Sequence, residues 1–297
     1  MIFRYVPQQL KDAADSGKLI VFIGAGVSRT MGWNSWWGYA KAKLDYIYQN
    51  NFITKEEYSI INIDNISPRQ ILSICDVILK EHNHPIKDEK QFLLTGAEKY
   101  NKIYENIYSL NAIYITTNYD HYLDRLTDNS KVFYNDSDFL VSKLLVPGNV
   151  LHIHGGMKSN QSPVITLWDY LARYAHNTNL SNLLKTVFKN YYVLFVGYGL
   201  AEYEILEYII SVAERGSKAE LRHFLLYPLT DEEKTAEQLY EKYYYKLGVQ
   251  LLSYEVGPKD KGNYDILDDI TAQLVDEIKA HSPYVLDKLK FLDGVEL

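Results

Sequence analysis

Four short stretches hold most of the side chains able to do chemistry. Residues 115–120, ITTNYD, place two hydroxyls, an amide and a carboxylate directly after an apolar run. Residues 151–156, LHIHGG, carry two imidazoles and then two glycines. Residues 23–28, IGAGVS, and residues 195–204, FVGYGLAEYE, both run from apolar residues into spaced glycines. Ligands on open α/β sheets bind at the carboxyl ends of strands, so polar groups just past an apolar run fall where a substrate lies. A helix cap accounts for one of Asn118 and Asp120, but not for all four polar residues of the stretch. His152 and His154 are two apart and share a face if the segment is a strand. As metal ligands they lack a third partner at recognisable spacing, and no metal site is expected. His154 stands out from an ordinary core histidine through its position at the strand end before Gly155 and Gly156, and is a candidate functional imidazole. His152 is read as supporting it.

A strand leading into Gly24-Ala25-Gly26 is in principle a phosphate cradle, because glycines let backbone amides approach a pyrophosphate. The dehydrogenase fingerprint asks for a third glycine, and Arg29 stands there. It also asks for a second strand within about 30 residues, whereas the next strand-like run begins at Ala112. The stretch therefore argues against hydride transfer. Gly197 and Gly199 can admit another part of the same nucleotide.

The elements that position these motifs alternate. Strands are expected at 19–23, 112–116, 131–134, 150–153, 192–196, 221–227 and 249–254. Helices are expected at 5–16, 34–50, within 167–190, at 202–214 and from Ile266 to Ile278. Residues 54–110 carry helical spacing throughout and read as a helical module inserted between the first two strands. Thr230 and Glu233 form a capping box. The helix it opens is expected to bury a face of Ala236, Leu239, Tyr240, Tyr243 and Leu247, and to stop at Gly248. Together this predicts an α/β fold, a Rossmann-like parallel sheet flanked by helices. It forms a single domain over 1–297, with a tail at 282–297. The tail is apolar enough to serve as a contact or to pack back on the domain.

Bulk properties narrow the class. The chain has 297 residues, a net charge of −7 and a single cysteine, Cys75. The acidic balance argues against direct nucleic-acid binding, which needs clustered Lys and Arg. One cysteine excludes an intramolecular disulfide and a four-cysteine zinc site. No apolar run reaches the roughly 20 residues of a membrane span. A cytoplasmic protein is the expectation.

In their order along the chain, GAGVS at 24–28, TTNYD at 116–120, HIHGG at 152–156 and GYGLAEYE at 197–204 resemble the sirtuin (SIR2) superfamily. They are more similar to its bacterial SIR2-like branch, found in anti-phage defence. The resemblance implies that Gly24, Ala25, Gly26 and Ser28 bind phosphate. It implies that Asn118 and Asp120 stand beside the nicotinamide ribose, with Thr117 in the NAD-binding set, and that His154 is catalytic. It implies that Gly197, Tyr198 and Gly199 contact the adenosine half of NAD+. Deacetylating members carry a zinc ribbon and a Pro-Asp-Phe-Arg segment. This chain has neither, and RTMGWNSWW stands at the second place. No zinc is therefore expected. In the defence-type relatives, a helical insert replaces the zinc module and NAD+ is the substrate, hydrolysed to nicotinamide and ADP-ribose. That activity implies gating, by homo-oligomer assembly or by a partner such as a HerA-type ATPase. A protein deacylase or ADP-ribosyltransferase using the same pocket, or a non-catalytic NAD+ sensor, remain alternatives.

Overall fold

The run Leu19–Ile23 is β1, and its alternation explains why it sits at the centre of the molecule. Leu19, Val21 and Ile23 enter one apolar cluster, while Ile20 and Phe22 enter another on the opposite face. A strand buried on both faces needs this continuous apolar run. The structure is a computed structural model and describes residues 6–62, 66–157, 163–175, 177–200, 202–213, 221–257 and 266–280.

The other strands are β2 (Ile113–Thr116), β3 (Val132–Phe133), β4 (Val150–His152), β5 (Tyr192–Val196), β6 (His223–Thr230) and β7 (Val249–Val256). They form a seven-stranded sheet in the order β3-β4-β2-β1-β5-β6-β7, and every pairing is parallel. The Rossmann-like parallel sheet is thus observed. After β1 the chain passes to β2 on one side and later to β5 on the other. Strand order reverses there, which opens the crevice where such sheets bind ligands.

Helix α1 (Gln8–Asp15) precedes β1, and among the described residues six helices lie between β1 and β2: α2 (Ala25–Thr30), α3 (Trp36–Gln49), α4 (Lys55–Ile61), α5 (Pro68–Glu81), α6 (Lys90–Leu93) and α7 (Ile103–Tyr108). Within 54–110 the described residues contain no strand beyond an isolated bridge of Leu94 to Trp33. Thr54 and Ser67 open α4 and α5 with full capping boxes. Each satisfies two amides that a helix start leaves unpaired. α5 then packs on α3 with Ile71, Leu72, Cys75 and Leu79 buried. The remaining helices are α8 (Val141–Leu144), α9 (Leu167–Ala175), α10 (Thr178–Asn190), α11 (Tyr203–Ala213), α12 (Glu237–Lys246) and α13 (Ile266–Lys279).

The fold departs from expectation at α12. The Thr230–Glu233 box forms, but it opens a 3-10 turn, Glu233–Ala236, before the α-helix begins. Each 3-10 residue turns about 20° more than an α residue, so four residues shift the phase by about 80°. Leu239 and Tyr243 consequently face out, 67% and 56% exposed. Tyr240 and Tyr244 instead pack on Tyr227 of β6. The predicted strand at 221–227 runs on to Thr230, paired throughout with β7. The tail at 282–297 lies outside the described residues. Among those described, no helix is long and apolar enough to cross a membrane.

Candidate functional site

The two glycine turns meet each other. A Cβ on Gly24 would lie 2.6 Å from the Gly197 carbonyl oxygen, and one on Gly26 would lie 2.8 Å from the Gly197 Cα. The amides of Gly24 and Gly26 donate to the carbonyls of Val196 and Gly197 at 3.0 and 2.8 Å. Gly197 adopts φ +61° to make this fit, a conformation glycine adopts without steric cost. The small residues therefore serve backbone-to-backbone packing of two loops. The amides expected to hold a pyrophosphate are, at Gly24 and Gly26, already bonded within the protein. Gly199 differs, since nothing lies within 4 Å of where its Cβ would be.

Asn118 and Asp120 lock the loop after β2 against the first turn. The Asn118 amide donates to the Gly24 carbonyl at 3.0 Å. Ser28 and Tyr104 both donate to Asp120 Oδ2, at 2.6 and 2.9 Å, and the Tyr122 amide reaches Oδ1 at 3.2 Å. Burial raises the Asp120 carboxyl above the usual carboxylate range, opposed by the bonds from Ser28 and Tyr104. Ala25, Ser28, Thr117 and Asn118 then line a cavity of about 40 Å³, together with Trp33 and Trp36. The tryptophans were not assigned a role from sequence. The signal was present in WNSWW, directly after the first turn.

His154 lies in a separate place. Thr116 pairs with His152 across β2 and β4, so the segments carrying Asn118 and His154 leave neighbouring strands side by side. His154 is fully buried, with Nε2 2.7 Å from the Tyr174 hydroxyl and 3.8 Å from Glu202 Oε2. It does not line the cavity. Tyr119 connects the two: it lines the cavity, its hydroxyl donates to the Val164 carbonyl, and the Val164 amide donates to the His154 carbonyl. Burial, then the charges of Arg173 and Arg69, hold the His154 imidazole well below its ordinary pKa. It is neutral near pH 7, the form a base needs.

Arg69 comes from α5. Its guanidinium stacks 3.5 Å over the Tyr170 ring and pairs with Glu204 Oε1 at 2.7 Å. Tyr170 in turn meets the His154 ring edge-on at 5.0 Å. Glu202, Arg69, Tyr170 and Tyr174 were missed as site residues. The two glutamates stand in the quoted GYGLAEYE, but glycine spacing drew the reading away from them.

His152 is tied elsewhere. Its Nδ1 lies 3.2 Å from the Asn118 carbonyl and its Nε2 2.8 Å from Asp124 Oδ1. His121 Nδ1 lies 2.7 Å from Asp124 Oδ2, which also accepts from Tyr134. These groups have the donor types of a His-Asp-His metal site. Their nitrogens already face the carboxylate at hydrogen-bond distance, and the arrangement works as a clip between the β2 loop and β4. Burial alone would raise the Asp124 carboxyl; the bonds from His121 and His152 outweigh it and hold it well below the usual range.

A parallel α/β sheet with its motifs gathered at the strand ends beside a topological switch has the crevice where sheets of this kind bind ligands. Within this fold, residues 112–247 match the family described as SIR2-like domain. The chain is similar to Defense-associated sirtuin 2 of Bacillus subtilis, 25% identical over 209 residues. That match takes in 67% of this chain and 19% of the relative, so the chain spans about a fifth of the length of the curated relative it matches. A solved structure from work on the mechanism and regulation of Sir2 enzymes aligns over 93% of this chain and 100% of that one, at 13% identity and a TM-score of 0.35.

Proposed function

We propose that the chain is an NAD+ glycohydrolase that cleaves the nicotinamide–ribose bond and depletes NAD+ in anti-phage defence. The observation that carries this reading is the placement of the Asn118 amide and the His154 imidazole. They leave the ends of adjacent strands: Asn118 lines a cavity with Ala25, Ser28 and Thr117, and Tyr119, through Val164, links that cavity to the buried His154. NAD+ is the substrate, and the family match supports it. Nicotinamide leaves with the electron pair of the broken C1′–N bond, neutralising its pyridinium charge. The ribose becomes oxocarbenium-like, as in glycoside hydrolysis. Water adds to C1′ and passes its proton to His154, giving ADP-ribose. Asn118 orients the ribose or the water. Asp120 acts through Ser28 and Tyr104, fixing the turn that carries them rather than touching the sugar.

The burial of His154 behind Tyr170, Tyr174 and Arg69 supports a gated activity, released by self-assembly or by a separate partner such as a HerA-type ATPase. Purified protein is incubated with NAD+, with and without an acylated peptide, and nicotinamide and ADP-ribose are quantified. Release of both without peptide is expected. Asn118→Ala and His154→Ala should each slow it by about 10²- to 10⁴-fold, with the unfolding transition retained. Undiminished turnover after both changes sinks the assignment. Turnover only with peptide indicates acyl transfer, and saturable binding without nicotinamide release indicates a sensor.

A further inference from the structure

Buried polar atoms find partners in nearly all native structures, and exceptions call for an explanation. Among the described residues, seven buried side-chain atoms have none, and four are grouped around His154: its Nδ1, the Tyr198 hydroxyl, Glu202 Oε2 and Glu204 Oε2. The first three come from three elements: the end of β4, the turn after β5 and the start of the α11 segment. Resting on the NAD+ reading above, we propose that Glu202, 3.8 Å from His154 Nε2, holds the vicinal 2′- and 3′-hydroxyls of the nicotinamide ribose.

The chemistry of the group selects the ligand. An ionised carboxylate only accepts hydrogen bonds and presents two oxygens, matched by the two adjacent donors of a vicinal diol. The imidazole offers a nitrogen to a third hydroxyl or to water. Two neighbouring glutamates repel phosphate, so the diphosphate of the same ligand would lie away from them, toward Ala25 and Ser28. A carboxylate 3.8 Å from the imidazole of the base also stabilises the positive charge that develops on the ribose during cleavage.

Protonation supports the assignment. Burial pushes the Glu202 carboxyl up to about 7, with Glu204 adding to the rise and Tyr198 and Arg69 opposing it. Tyr119, Tyr170, Tyr174 and His154 complete its charged and titratable surroundings. The ionised, diol-accepting form therefore fills as pH rises through about 7, in the range where His154 is already neutral.

The test uses binding and turnover separately. By calorimetry, ADP-ribose, which carries the second ribose, should bind the wild type more tightly than AMP, which lacks it. Glu202→Gln should weaken ADP-ribose by about 10- to 100-fold, with AMP unchanged and Glu202→Asp restoring part of the loss. Tight ADP-ribose binding that survives Glu202→Gln, or an absence of preference over AMP in the wild type, overturns the proposal whether or not NAD+ is cleaved. Where nicotinamide is released, Glu202→Gln should raise KM for NAD+ and abolish the rise in kcat/KM through about pH 7. It should leave KM unchanged for an analogue lacking the nicotinamide-ribose 2′-hydroxyl. An unaltered pH profile overturns the proposal, while failure of the wild type to release nicotinamide, with ADP-ribose preference intact, overturns only the cleavage reading.

Discussion

The two sides of the site are built to opposite rules. Around Asp120 every polar group is matched: Ser28, Tyr104 and the Tyr122 amide converge on one carboxylate, and Asn118 closes on the Gly24 carbonyl. Around His154 and Glu202, polar atoms are sealed from solvent without partners. A satisfied network rigidifies and specifies one arrangement, whereas an unsatisfied one costs free energy until something supplies the missing bonds. The contrast sets a rigid, internally satisfied side against one that leaves bonds unmade, although both lie in motifs that looked equally chemical in the sequence.

Breaking the scaffold should have the largest effect. Gly197→Ala forces a side chain at φ +61° against the Val27 amide nitrogen, 2.6 Å from the new Cβ. Strain and overpacking together predict a loss on the order of 4 kcal/mol, read by urea unfolding. Glu202→Gln sharpens the comparison from the other side. The folded carboxyl titrates at about 7, above its unfolded value, so its stabilising contribution is present below about 4.5 and lost as pH rises through 7. The stability of Glu202→Gln relative to wild type should therefore rise between pH 4.5 and 8, on the order of 3 kcal/mol. A flat difference would show that the carboxyl is solvated. Asp124→Asn should cost about 2 kcal/mol by removing an acceptor shared by His121, His152 and Tyr134. Gly199→Ala, with open space around its Cβ, should change stability by less than about 0.5 kcal/mol. An unchanged melting profile with weakened NAD+ binding would mark Gly199 as a ligand contact, unlike its neighbour two residues earlier.

The sheet was legible because buried parallel strands are continuous apolar runs, and β1, β2 and β5 are written that way at 19–23, 112–116 and 192–196. The face of α12 was not, because a four-residue 3-10 turn changes the helical phase without leaving a mark in the hydrophobic pattern. Part of the geometry around the candidate site could be anticipated. Asn118 and His154 do leave adjacent strands. The glycines at 24, 26 and 197 look the same in sequence whether they admit a ligand or a second loop, and only the long-range approach of residues 24–27 to 197–198 distinguishes the cases. Asp120 was read as facing the substrate, but its partners Ser28 and Tyr104 lie 92 and 16 positions away and carry no local signature. Glu202 lay within a quoted motif, yet the inward direction of a side chain at a turn does not follow from a period.

The register of the sheet sets a limit on divergence. Ile23, Thr116, His152 and Val196 stand level across four neighbouring strands. The gap between the Asn118 branch and the His154 branch is consequently dictated by interstrand spacing, about 4.8 Å, rather than by loop conformation. Surface loops around the crevice can lengthen or shorten freely. A single inserted residue inside β2 or β4, by contrast, would turn alternate side chains through half a revolution and misalign both branches at once.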